Sequence, residues 1–114
     1  MHTNFGINFD GYPGTTVTFT AVANVAYDLA DTGVTLIDGE GHAAIMVLIT
    51  VEAYGVRCAW GTDATATLGH LRADGDSLQL SGKAAADGLS MRNAVNGENF
   101  IVQVTPFFAK YDNS

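Results

Sequence analysis

Three histidines, one cysteine and two pairs of acids flanking a glycine are the residues of this 114-residue chain that could do chemistry. His2, His42 and His70 are far apart, and a metal centre usually shows at least one close pair of ligands. Glu40 and His42, one residue apart, could face the same way, but a hydrogen-bonded turn accounts for them more simply. Asp38 and Glu40 flank Gly39, and Asp74 and Asp76 flank Gly75. Calcium needs six to eight oxygens, so two acids are too few by themselves. An Asp-Gly-Asp run is better read as a turn whose carboxylate accepts a backbone N–H. Cys58 sits between Val56 and Trp60 in an alternating run, which predicts a buried thiol and excludes an internal disulfide. No Gly-x-Ser-x-Gly elbow, Walker loop or dinucleotide fingerprint occurs. Trp60 could be a stacking platform for a sugar, but a single Trp at a strand end reads as core. The expectation is a chain without catalytic residues, metal or other cofactor.

The elements that hold these residues read as short strands. Val17, Phe19 and Ala21 alternate with threonines, which places the threonines on a wet sheet face. Residues 21–31 fit a strand or a single helical turn. A strand at 34–37 leads into the Asp38-Gly39 turn. Residues 42–53, "HAAIMVLITVEA", are apolar on both faces, as a central strand or one covered by a neighbour would be. Further strands fall at 56–60 and 77–81, and after an alanine-rich turn or loop at 89–92. The last runs through "FIVQVTPFF", with Pro106 expected at a strand end or edge. Short strands about 8–12 residues apart, with glycine-rich turns, predict an all-β antiparallel sandwich, jelly-roll-like, over residues 15–114. Residues 1–14 read as an extended N-terminal arm. Its Phe5, Phe9 and Tyr12 need cover, either from this chain's own core or from a neighbouring subunit.

Composition narrows the function. Five basic against twelve acidic residues give a formal charge of -7, which phosphate backbones repel, so no nucleic acid is expected. The longest apolar run, 43–51, is too short to span a bilayer, and the N-terminus does not read as a signal peptide. Charged residues are only 15% of the chain, so much of the surface is neutral, as surfaces that meet partners often are.

"AAIMVLITVEAYGVRCAWGTDATATLGHLRADGDSLQLSG", "LSMRNAV" and "FIVQVTPFF" together resemble small β-sandwich structural proteins of tailed bacteriophages. The residues that carry the resemblance are Val56, Arg57, Gly61, Thr65, Gly69, His70, the "GDSLQL" strand, Arg92, Val102, Val104 and Thr105. Asn93 departs from it, standing where isoleucine is usual. The resemblance covers about the last two thirds of the chain. It implies a virion part without catalysis: a head decoration or cement protein, a head fibre or a tail component. A cement protein would bind across adjoining major capsid subunits on the capsid exterior after assembly in the host cytoplasm. Its own copies would associate as dimers or trimers. Phe5, Phe9, Tyr12, Arg57 and Arg92 are the interface candidates. Arg57 and Arg92 have a plainer role open to them, as solvated or intra-sheet ion pairs. A glycan-binding β-sandwich module is the alternative from another class.

Overall fold

The computed structural model describes residues 11–109 throughout and, of the first ten, the strand backbone at 3–4 and 8–9. It is all-β. Short strands β1 (Thr3–Asn4) and β2 (Asn8–Phe9) pair with each other. The body has two antiparallel sheets. One contains β3 (Gly11–Pro13), β4 (Val17–Ala21), β5 (Met46–Ala53), β8 (Ser77–Ser81) and β10 (Phe100–Ala109). The other has the order β7 (His70–Arg72), β6 (Val56–Trp60), β9 (Leu89–Asn93). A five-residue helix, α1 (Lys83–Asp87), joins β8 to β9.

Alternation decides which side chains meet between the sheets. Val47, Ile49 and Val51 of β5, Phe100, Val102 and Val104 of β10, Val56 and Cys58 of β6, and Leu89 and Met91 of β9 all belong to one buried cluster. At its end Phe19, Tyr27 and Phe100 form an edge-to-face trio, with centroids 5.1, 6.4 and 6.3 Å apart. The opposite face of the larger sheet is polar along β4 and the middle of β10, as the threonine alternation predicts, while Met46 and Phe107 are buried at its other end. Thr18 donates to Gln103 at 2.7 Å, and the Thr16 and Thr105 hydroxyls lie 2.6 Å apart.

β10 is the spine. It pairs with β5 on one side and, on the other, with β4 over residues 100–104 and β3 over 107–109. Pro106 therefore lies inside a central strand rather than at a strand end. Its carbonyl accepts the Gly14 N–H at 2.7 Å, so its nitrogen points to that same side. There the partner changes from β4 to β3, and no donor is needed. The arm expected over 1–14 is thus partly built in, because residues 11–13 extend the sheet.

Two more expectations change. The strand at 34–37 reduces to one bridge, Ile37 with Ala43, around the Asp38 turn. Residues 21–31 hold one bridge, Tyr27 with Met91, and a 3-10 turn at Ala30–Thr32. Through that bridge the 22–29 segment lies along the free side of β9. The chain then alternates between sheets: β4, the Tyr27 segment, β5, β6 with β7, β8, β9, β10.

Candidate functional site

The tight corner from β5 to β6 borders an apolar cleft. Tyr54 and Gly55 both take positive φ, 60° and 78°. Gly55 is required there: a Cβ would lie 3.2 Å from the Arg72 carbonyl oxygen, in a conformation side chains avoid. Tyr54 takes the same left-handed region with a bulky side chain, a strained arrangement typical of sites that bind. Tyr54, Leu71 and Val95 are 52, 60 and 44% exposed, and all three line one cleft of about 620 Å³. Glu52, Arg72 and Asp74 supply its charges. The Arg72 Nε is buried without a hydrogen-bond partner. The cleft can take an apolar group and offer a guanidinium to an acidic one.

The turn leading into β8 splits the two acids of "DGD". Asp76 accepts the Ala73 N–H at 2.8 Å and donates its own N–H to the Ala73 carbonyl at 3.0 Å, the backbone service expected of it. Asp74 instead borders the cleft. At the 38–42 turn, Asp38 accepts the N–H groups of Glu40 at 2.9 Å and His42 at 2.8 Å. Its other oxygen accepts the Tyr12 hydroxyl at 2.9 Å and lies 3.4 Å from His42 Nδ1. His42 thus faces Asp38 rather than Glu40. The His42 N–H is the main reason the Asp38 carboxyl is held below its ordinary range; desolvation opposes it, and Tyr12 and Glu40 assist. Among the described residues no three His, Cys, Asp or Glu converge as metal ligands.

Of the interface candidates, Phe5 lies outside the described residues. For Phe9 only the strand pairing with Thr3 is described. Tyr12 is 40% exposed; its ring lies 5.7 Å from that of Phe108, so it leans on this chain's own sheet. Arg57 and Arg92 are brought together as direct cross-strand partners on the outward face of β6 and β9. Arg57 donates to the Gly69 carbonyl at 3.0 Å, while its Nε is buried and unbonded. The ion pairs among the described residues are Asp38–His42 and Lys83–Asp87, so the intra-sheet ion pairs considered for these arginines do not form there. Cys58 is buried, and burial pushes its thiol up to about 11, with Arg72 opposing.

Trp60 corrects an expectation. It is 39% exposed at the last residue of β6, although its cross-strand partner Leu89 is buried in the core. Its Nε1–H donates to the Ala85 carbonyl at 2.9 Å, and it lines a shallow cleft with Leu68 and His70. Tyr54 is a site residue that strand alternation does not single out; the Tyr-Gly pair between two strands is the signal that marks it. No known protein family, curated protein or solved structure matches the chain. No helix among the described residues is long and apolar enough to cross a membrane.

Proposed function

We propose that this chain is a non-enzymatic structural protein of a tailed-phage virion, which decorates and cements the capsid exterior by binding across adjoining major capsid subunits. The observation that carries this reading is the cleft at the β5–β6 corner, where Tyr54, Leu71 and Val95 are exposed around Arg72. Such an aromatic and aliphatic cluster beside a guanidinium has the composition of an interface centre. Covering the exposed half of Leu71 or Val95 contributes on the order of 1 kcal/mol each. Many symmetric copies add avidity without new contacts. The alternation of strands between sheets, with the Tyr27 segment as a much reduced strand, supports a jelly roll, an architecture used in viral capsid and lectin domains. The same fold and cleft would serve a head fibre or a tail component.

The test is co-sedimentation of the purified chain with particles built from the major capsid protein of the same virion. Binding that falls on Tyr54→Ala and Val95→Asp, with particles that release DNA at lower temperature when the chain is missing, is the expected result. Particles that neither bind the chain nor change in heat stability would refute the reading.

A glycan-binding role is a second reading, and the exposed Trp60 beside His70 favours it. A Trp fluorescence change on titration with sugars is its signature.

A further inference from the structure

All three arginines of a chain carrying -7 stand on one sheet: Arg57 on β6, Arg72 on β7 and Arg92 on β9. Arg57 and Arg92 sit directly opposite each other, an arrangement that repels. Among the described residues neither has a carboxylate partner. Gly69 lets the neighbouring loop close over this face: a Cβ there would come within 3.0 Å of the Arg57 Cβ. The next residue back, Leu68, is left 46% exposed.

About 10 Å further along the same strands the charge reverses. The Trp60–Leu89 end of β6 and β9 opens into a cleft lined by Asp28, Asp31, Asp63 and Asp87. Asp28 and Asp31 cap one another's backbone N–H groups at 2.9 and 3.0 Å, and Asp87 pairs with Lys83. Asp63 has no such partner among the described residues. It precedes Ala64, whose N–H donates to Ser90 on the outward face at 2.9 Å, so Asp63 flanks the face that carries the arginines.

A surface with a positive row and a negative row side by side is complementary to itself after a half-turn. We propose that two copies of this chain pair through the Arg57–Arg92 end of the outward face of β6 and β9 and the 62–69 loop beside it, which itself covers Ala59 and Ser90. Arg57 and Arg92 of each copy then lie against the Asp63 side of the acidic cleft of the other, with Leu68 between them. A two-fold contact of this kind is closed and uses both rows twice. It relieves the Arg57–Arg92 repulsion by giving both guanidinium groups a carboxylate. The pairing extends the structural reading to self-association, yet it needs no capsid and stands or falls separately from capsid binding.

Sedimentation velocity of the purified chain at low salt tests it. The wild type is expected to dimerise, with dissociation as salt rises. Arg92→Glu and Asp63→Lys, each folded by circular dichroism, are each expected to raise the dissociation constant about tenfold or more, as attraction becomes repulsion. Mixed one to one, the two variants are expected to form a heterodimer, because each reversed charge then meets its opposite. A monomeric wild type at low salt, a dimer indifferent to both substitutions, or a mixture that stays monomeric would each overturn the pairing. Capsid co-sedimentation of the Arg92→Glu monomer separates this result from the capsid reading.

Discussion

Asn93 on β9 accepts the backbone N–H of Asn24 at 2.5 Å and donates its Nδ2–H to the Val95 carbonyl at 2.8 Å. Sixty-nine residues separate the two asparagines. Asn24 is held at φ 65°, so this contact fixes a left-handed bend in the irregular 22–29 segment. The side chain is buried, and a hydrocarbon in its place would leave an N–H without a partner. Asn93→Ile is therefore expected to destabilise by about 1–3 kcal/mol. Urea unfolding measures it, and an unchanged midpoint would show that Asn24 finds another acceptor.

Asp38 links Tyr12 on β3 to the 38–42 turn. Its carboxyl is held below the ordinary value of 3.8. The folded state therefore gains from ionised Asp38 above that pH, and the gain disappears as pH falls through the lower folded value. Asp38→Asn should be less stable than wild type at pH 7, with the difference shrinking once the pH is below both values. Tyr12→Phe removes one of the contacts and should show a smaller version of the same trend. Urea midpoints across this pH range decide the matter; a constant difference would contradict the assignment.

Cys58 combines burial with a thiol pushed up to about 11. The thiolate needed for attack is scarce at neutral pH and unreachable in the folded chain. A coloured disulfide reagent at pH 8 is expected to react only as fast as the protein opens. Stoichiometric labelling within the mixing time of native protein would rule this out.

Tyr54 is strained, and its replacement should separate stability from binding. Asparagine tolerates the left-handed region better, so Tyr54→Asn is expected to raise stability by about 0.5–1 kcal/mol. The same change removes the aromatic edge of the cleft and should weaken capsid binding. Thermal unfolding and co-sedimentation on one sample would show the two effects moving in opposite directions.

Local chemistry was legible in the sequence wherever a residue's neighbours decide its environment. The Thr16, Thr18 and Thr20 alternation placed β4, and the alternating β6 and β8 runs appeared where expected. Asp76 served its own turn. Long-range pairing was not legible. Pro106 sits in mid-strand because β3 and β4 divide β10 between them, which no local pattern encodes. Arg57 and Arg92 lie thirty-five positions apart, and only register made them opposite each other. Trp60 looked like core because alternation continues up to it, yet it stays 39% exposed while its indole N–H reaches the Ala85 carbonyl. Residues 34–37 have the composition of a strand, but their neighbour, residues 42–44, pairs with them through a single bridge at the Asp38 turn.

The division of β10 also constrains how the molecule comes into being. β4 and β5 do not pair with each other; β10 alone joins them, and it follows every other described strand in chain order. During synthesis β5 and β8 can pair with each other, but β3, β4 and the other edge of β5 must wait unjoined until residues 100–109 leave the ribosome. Folding is then dominated by distant contacts, slow for a chain this small, and open to capture by another nascent copy while the insertion is pending.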